Sequence, residues 1–299
     1  MDILTIKNLK KSFGEKEVLC GLDLSVPSNS IYGFVGRNGA GKTTTMKAVL
    51  GLLRADEGEI LVVGEKVVFG QTATNRHIGY LPDVPEFYSF MTPREYLRLC
   101  GESLGMNGAD IKKRSEELLE LVGLADEKHR IRGFSRGMKQ RLGIAQALLG
   151  SPKLLICDEP TSALDPIGRK EILDILFSVK EQTTVLFSTH ILSDVERICT
   201  DVALLNDGKI ALQGKVDCLK QAHRTETFTV ETADVTNAQM LANAFPDVTD
   251  RGQDTLVFSG GEEAFLDVLR FIAENRISVR KVERIEPSLE SLFLEVVAK

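Results

Sequence analysis

Long apolar runs are missing from this sequence. Its longest stretch without Asp, Glu, Lys or Arg is the thirteen residues Leu24–Gly36, which include Pro, Ser, Asn and Gly, whereas a helix crossing a bilayer needs about 20 mostly apolar residues. A membrane-spanning helix is thereby excluded. The opening MDILTIKNLKKSF interleaves charged and apolar residues and has no apolar core of a secretory signal, so the expected location is the cytoplasm. Cysteine is scarce as well. The five residues Cys20, Cys100, Cys157, Cys199 and Cys218 form no CxxC pair, which argues against a disulfide framework or a zinc site. They are expected to be reduced, buried, small apolar residues. Internal repeats and low-complexity segments are also absent.

What is present is a globular chain: 299 residues with 43% hydrophobic and 27% charged side chains, a length that suggests two domains at roughly 150 residues each. The net charge of −6 hides a split. Residues 1–224 carry 30 basic and 29 acidic groups, whereas residues 225–299 carry 7 and 14. A domain boundary near 224 is expected, and an acidic tail is a poor binder of phosphate backbones.

The first eighty residues read as short strands followed by one strand–loop–helix unit. DILTIKNL and the Val18–Leu24 stretch alternate apolar and polar residues, and EILVVGEKVV reads as two strands about a Gly-Glu turn. IYGFVG is continuously apolar, as in a strand buried on both faces, and leads through a glycine-rich loop into a helix expected over Lys42 to Leu53. From Pro93 to Gly150 the period becomes helical, with Leu118, Leu119, Val122 and Leu124 on one face, so a helical insertion is expected over about 85–150. Beyond it, strands at 154–158, 184–188 and 202–205 alternate with helices near 167–181 and 192–199, the order of a parallel sheet covered by helices. The tail reads strand 227–231, helix 238–244, strands 248–251 and 255–258, helix 262–274, strand 277–284, then a helix from Ser288. That β-α-β-β-α-β order is ferredoxin-like.

The strongest local motif is GRNGAGKT, Gly36 to Thr43, which fits G-x-x-x-x-G-K-[ST] between a buried strand and a helix. Backbone N–H groups freed by Gly39 and Gly41 can cradle phosphates at a helix N-terminus. Lys42 would neutralise the β- and γ-phosphates, and the Thr43 hydroxyl would hold Mg²⁺. LLICDE places Asp158 and Glu159 at the C-terminal end of a buried strand, where ligands of α/β sheets bind. Asp158 suits the metal, and Glu159 suits orienting or deprotonating the attacking water. In FSRGMKQRLGIAQALL, Ser135 can cap a helix whose apolar positions are Met138, Leu142, Ala145 and Leu149. Six Lys or Arg residues lie between Lys128 and Arg141 with no acid among them, an ordinary solvated face or an anion-facing one.

The order of these motifs over roughly residues 1–220 resembles the ATP-binding-cassette (ABC) ATPase family. GRNGAGKTT is similar to its Walker A, LLICDEP to its Walker B, FSRGM (134–138) to its LSGGQ signature, TSALD (161–165) to its D-loop, and His190 in FSTHIL to its switch histidine. Phe13 in KSFG is similar in place to the aromatic residue that stacks on adenine. The resemblance implies an α/β P-loop NTPase core with an antiparallel β subdomain and a helical insertion, followed by a small α+β domain. It also implies an ATP site lined by Phe13, Gly36, Arg37, Asn38, Gly39, Ala40, Gly41, Lys42, Thr43 and Thr44, with Mg²⁺ held by Thr43, Asp158 and Asp83. Lys42, Glu159 and His190 are the implied catalytic groups. Ser135 and Gly137 would contact the γ-phosphate bound by a second copy of the chain or a related ATPase subunit, in a head-to-tail dimer.

Three positions depart from the family pattern. Arg136 and Met138 replace a glycine and the glutamine of the signature, and Asp83 in IGYLPD stands where the Q-loop glutamine is expected. A turn aspartate is the other reading of Asp83. IGYLP, the signature FSRGMKQRL and the ending PSLESLFLEVV resemble ATPase subunits of bacterial exporters of drugs and antibiotics, which pair with separately encoded integral-membrane subunits. Phe87, Tyr88, Phe90 and Met91 are either a membrane-subunit contact or local core. The rival class, a soluble ABC protein acting on nucleic acid or ribosomes, usually carries a long coiled-coil insertion or two cassettes, and neither is here. A regulatory module without turnover is disfavoured by the presence of both Glu159 and His190.

Overall fold

The computed structural model describes residues 2–71, 73–222, 226–245, 248–250, 252, 254–285 and 288–298. Two compact units divide the chain, one of residues 2–216 with 296–298 and one of residues 217–295. The expected boundary near 224 falls on residues 223–225, outside the described residues.

In the first unit, β1 (Asp2–Phe13) and β2 (Lys16–Pro27) form a long antiparallel hairpin closed at Gly14, whose φ is +61°. β3 (Ile31–Gly36) is buried at every residue, and α1 (Lys42–Val49) follows the glycine loop. The helix stops four residues short of Leu53 because the amides of Gly51, Leu52 and Leu53 turn back to the carbonyls of Ala48 and Lys47. β4 (Glu57–Val62) pairs with β1 and then turns at Val63-Gly64, one residue earlier than the expected Gly-Glu turn, into the short β5 (Glu65–Lys66). This antiparallel sheet has the order β2-β1-β4-β5.

β6 (Ile78–Leu81) ends at the segment carrying Asp83, and three helices follow: α2 (Pro93–Ser103), α3 (Gly108–Leu121) and α4 (Arg136–Leu148). Thr92 and Glu95 form a reciprocal capping box on α2, Asn107 caps α3 and Ser135 caps α4. Leu142, Ala145 and Leu149 are fully buried. α4 lies close against β6 because two glycines permit it: a Cβ at Gly143 would meet Leu81 Cδ1 at 2.5 Å, and one at Gly79 would meet the Ala147 carbonyl oxygen at 2.2 Å. Sequence positions far from the phosphate loop therefore fix where the cap of α4 stands.

The chain then alternates β7 (Leu154–Asp158), α5 (Pro166–Ser178), β8 (Thr184–Thr189), α6 (Leu192–Ile198), β9 (Asp201–Asn206) and β10 (Lys209–Lys215). The sheet order is β10-β9-β3-β8-β7-β6, parallel from β9 to β6 with β10 antiparallel at the edge. One apolar core joins both sheets through α1, where Met46, Ala48 and Val49 meet Leu4, Leu22 and Leu24 on one side and Phe34, Ile156 and Leu186 on the other. The C-terminal ends of β3, β7 and β8 thus come to one edge.

α7 (Val216–Ala222) crosses the division and leads into the second unit, with β11 (Thr227–Thr232), α8 (Val235–Ala244), β12 (Thr249–Asp250), β13 (Thr255–Ser259), α9 (Glu262–Glu274), β14 (Val279–Arg284) and α10 (Leu289–Ala298), whose residues from Val296 on group with the first unit. The order β12-β13-β11-β14, antiparallel throughout, is the ferredoxin-like arrangement read from the sequence. α8 begins three residues earlier than expected because Asp234 accepts from the Asn237 amide. The expected strand 248–251 is cut to two residues, and Arg251 at its end lies outside the described residues. Phe228, Phe258, Phe245 and Phe265 form the aromatic centre of this small core, with ring centroids 5.0–5.8 Å apart. All five cysteines are free thiols, but only Cys157 is fully buried, and Cys218 is exposed, against the expectation that all are interior. Among the described residues no helix is long and apolar enough to cross a membrane.

Candidate active site

The glycine loop is shaped by what surrounds it. Gly36 ends β3 where a Cβ would meet the Leu205 carbonyl oxygen at 2.8 Å, and Gly41, at φ +112°, leaves only 2.7 Å between such an atom and Leu19 Cδ2. Both glycines are required by close approach or backbone sign. Arg37, Asn38 and Gly39 are exposed, so the outer rim of the loop faces solvent. Lys42 opens α1 and is 5% exposed, unusual for lysine. Its ammonium donates to the carbonyls of Gly36 (2.7 Å) and Arg37 (3.2 Å) and lies 3.1 Å from Glu159 Oε1.

At the end of β7 the Asp158 carboxylate is bound at both oxygens. Thr43 donates to Oδ2 at 2.7 Å, and Ser188 on β8 donates to Oδ1 at 2.6 Å. Glu159 takes a left-handed backbone, φ +49°. Its Oε2 meets His190 Nδ1 at 2.9 Å, whereas Oε1, though in ionic contact with Lys42, has no aligned hydrogen-bond donor. A cation, an acid and an imidazole are therefore held together with one acidic oxygen unsatisfied by hydrogen bonding.

These groups line a cavity of about 320 Å³ with Asn38, Gly39, Gly41, Thr44, Asp83 and Ser162. The cavity thus brings together ten of the residues expected from the sequence, while Phe13, Gly36, Arg37, Ala40, Ser135 and Gly137 lie outside its lining. Phe13 is half exposed at the tip of β1, with the Lys11 ammonium 5.4 Å from its ring centroid. Ser135 is exposed and accepts from the Met138 amide at 3.2 Å.

Asp83 touches two cavities. It borders the one above and a second of about 460 Å³ with Pro85, Phe87, Ile131, Arg136 and Lys139. Burial pushes its carboxyl above the usual range and Asp158 and Glu159 add to this, while Arg136 pulls it down. Two of the three departures from the ABC pattern are paired, since Arg136 donates to Asp83 Oδ1 at 3.2 Å. A cation at the first residue of α4 opposes the helix dipole, and the carboxylate offsets it.

Residues 19–162 match the family described as "ABC transporter", and residues 214–297 match "ATP-binding protein DrrA1-3-like, C-terminal domain". The "Uncharacterized ABC transporter ATP-binding protein YxlF" of Bacillus subtilis is 38% identical over 99% of both chains. This chain is an ABC transporter ATP-binding protein. The ABC protein is equally similar, at 38% over 99% of its own chain and 97% of the other, to the "Bacitracin transport ATP-binding protein BcrA" of Bacillus licheniformis. A solved "ATP binding subunit of ABC transporter" superimposes with a TM-score of 0.65 at 32% identity, covering 74% of this chain and 92% of that one. The ABC protein binds ATP and is an ATPase. The alternative of a soluble protein acting on nucleic acid finds no support in these transport relatives.

Sequence reasoning on this ABC ATPase passed over Ser188 and a buried network behind the D-loop. Thr161 donates to Asp194 Oδ2 at 2.8 Å, and Arg169 donates to Asp194 Oδ1 at 2.5 Å and to Ser193 at 2.8 Å. Asp194 is 2% exposed, so this charge is stabilised by its partners. A signal existed for Ser188, a polar residue inside the apolar strand TVLFST.

Proposed function

We propose that this ABC ATPase hydrolyses Mg²⁺-ATP as a head-to-tail dimer and powers export of a small drug-like or lipid-like compound through separate integral-membrane subunits. The observation that carries this reading is the convergence of Lys42, Thr43, Asp158, Glu159 and His190 on one cavity, with Ser135 and Gly137 outside it.

The amides of Gly36, Arg37, Asn38, Gly39, Ala40 and Gly41 cradle the phosphates, and Lys42 leaves Glu159 to neutralise the β- and γ-phosphates. A hydroxyl and two carboxylates are all hard oxygen donors, a set that fits Mg²⁺. Thr43 and Asp158 would hold the ion and Asp83 would contribute to it. Bound there, the ion would offset charge on the β- and γ-phosphates. Glu159, released from Lys42, orients or deprotonates the attacking water, and His190 holds its carboxylate in place. Phe13 stacks on adenine, and Thr44 closes the inner side of the phosphate loop.

One chain has no signature residue in its own cavity, so a second copy or a related subunit supplies Ser135 and Gly137 to the γ-phosphate. A Cβ at Gly137 would meet nothing closer than Leu164 Cδ2 at 3.9 Å. That glycine therefore keeps space for a group outside the chain. The membrane subunits dock on the second cavity and the apolar side chains beside it. There Phe87 packs edge-on against Tyr96, while Val84, Tyr88 and Phe90 are 62%, 56% and 61% exposed. This places the ATPase on the inner face of the cell membrane, with residues 225–299 as an accessory domain.

Glu159→Gln tests the shared site, because it keeps the side chain's shape but removes its charge, so ATP binds and persists. On a sizing column with ATP the variant is expected to shift from monomer to dimer, and adding Ser135→Arg is expected to abolish the shift. A nucleotide-independent dimer that ignores Ser135→Arg would contradict the reading.

A further inference from the structure

Asp158 and Glu159 are neighbours in the chain with different tasks, so the backbone between them has to hold two carboxylates in different directions. Glu159 does this in a left-handed conformation, φ +49°, which costs an ordinary L-residue about 1 kcal/mol or more. Something must hold that geometry in place. Ser188 stands opposite Asp158 in the parallel register of β7 and β8, is fully buried, and has a hydroxyl that makes two hydrogen bonds. The hydroxyl donates its one proton to Asp158 Oδ1 at 2.6 Å. It also accepts from the Glu159 amide at 3.0 Å, an amide that reaches the Ser188 carbonyl oxygen at 3.2 Å as well.

We propose that Ser188 is a positioning residue that aims Asp158 and Glu159 together, so that the metal-directed and water-directed carboxylates are set by one hydroxyl. The inference rests on the site reading above and goes beyond it by naming a group that touches neither nucleotide nor metal. Its importance follows from the donor arrangement at Asp158. In this structure two donors hold the carboxylate, Thr43 at Oδ2 and Ser188 at Oδ1. A cation that recruits the Thr43 hydroxyl removes one of them. Ser188 is then the donor that still fixes the plane of the carboxylate, and through the amide of Glu159 the same hydroxyl holds the next residue. Hydrogen bonds to a ligating carboxylate orient it, and losing such a partner typically costs tenfold to a hundredfold in metal affinity or activity.

The test compares Ser188→Ala with Ser188→Thr, which keeps the hydroxyl. Four quantities are read on the full chain: kcat and KM for ATP, the Mg²⁺ concentration that half-saturates its effect on binding of a fluorescent ADP analogue, and the melting temperature. Ser188→Ala is expected to lower kcat about tenfold or more and to raise the half-saturating Mg²⁺ about fivefold or more. Analogue binding without Mg²⁺ should stay within about twofold, and Ser188→Thr should recover most of both losses. If Ser188→Ala does not give folded protein, Ser188→Cys, close in size with a weaker donor, is read in the same way. A kcat and Mg²⁺ dependence within about twofold of wild type overturns the proposal, and so does an equal loss of analogue binding with and without Mg²⁺, which marks a merely structural hydroxyl. Asp158→Asn run in parallel separates the two claims. If it leaves Mg²⁺ dependence unchanged, the site reading fails; if it abolishes that dependence while Ser188→Ala is silent, only the role of Ser188 fails.

Discussion

The phosphate loop and the start of α4 are both glycine-containing helix N-termini, yet they are built in opposite ways. At the phosphate loop two glycines are forced by the chain itself: Gly36 by the Leu205 carbonyl, Gly41 by its left-handed backbone and by Leu19. Lys42 and Thr43 are already bonded to carbonyls and to Asp158. At α4 nothing inside the chain requires Gly137, and Ser135 caps its own helix while remaining exposed. One terminus is braced by its own chain, and the other has room for a methyl group beside its cap. The contrast separates glycines forced by close approach or backbone sign from one that leaves room at an exposed helix start.

The sharpest way to break that comparison is to remove the cation of the braced half. Lys42→Ala is expected to lower steady-state phosphate release by at least about a hundredfold. The fold should survive, because the lysine bonds loop carbonyls and Glu159 instead of filling the core, and an unchanged circular dichroism spectrum would show this. Turnover within twofold of wild type would remove Lys42 from the site.

A pair of alanines separates the two glycines. Gly41→Ala forces φ +112° on a residue with a Cβ and drives that atom into Leu19, so the expected result is a loss of roughly 2 kcal/mol in chemical denaturation, with activity falling as a consequence. Gly137→Ala sits in the first turn of a helix with room for a methyl group, where alanine is favoured over glycine by up to about 1 kcal/mol. The expected outcome is a melting temperature equal to or above wild type together with a turnover about tenfold lower, because in the proposed head-to-tail dimer the methyl would crowd the nucleotide of the other subunit. A stable, fully active Gly137→Ala protein would leave the open half without a function.

The smallest effect concerns Asp83, which links the two cavities. Because its folded carboxyl titrates above the usual range, the native state binds a proton more readily than the unfolded chain. Charged Asp83 therefore costs stability at pH above its folded pKa, and that cost fades as pH falls through it. Asp83→Asn should melt slightly higher than wild type at pH 7.5, and the difference should shrink towards pH 4, about the unperturbed carboxylate pKa. Turnover should fall a few-fold with ATP binding unchanged, read by steady-state kinetics beside equilibrium binding. Equal turnover and an equal melt at both pH values would return Asp83 to an ordinary turn residue.

Most of the elements, and the candidate residues of the inner half of the site, were legible in the sequence. Hydrophobic periodicity and local motifs are short-range properties, so IYGFVG, LLICD and TVLFS read as buried strands, GRNGAGKT as a phosphate loop and the tail as β-α-β-β-α-β. Helix ends were less legible. The stop of α1 at Val49 depends on amides turning back to Lys47 and Ala48, and the start of α8 depends on the Asp234 cap. What only the tertiary structure decided are the contacts between segments far apart in the chain. Arg136 meets Asp83 across 53 positions, Ser188 meets Asp158 across 30, and Asp194 gathers Thr161 and Arg169. No sequence window holds those pairs together. They form because glycines at 79 and 143 let α4 lie against β6, and because parallel pairing of β7 with β8 puts the ends of both strands side by side.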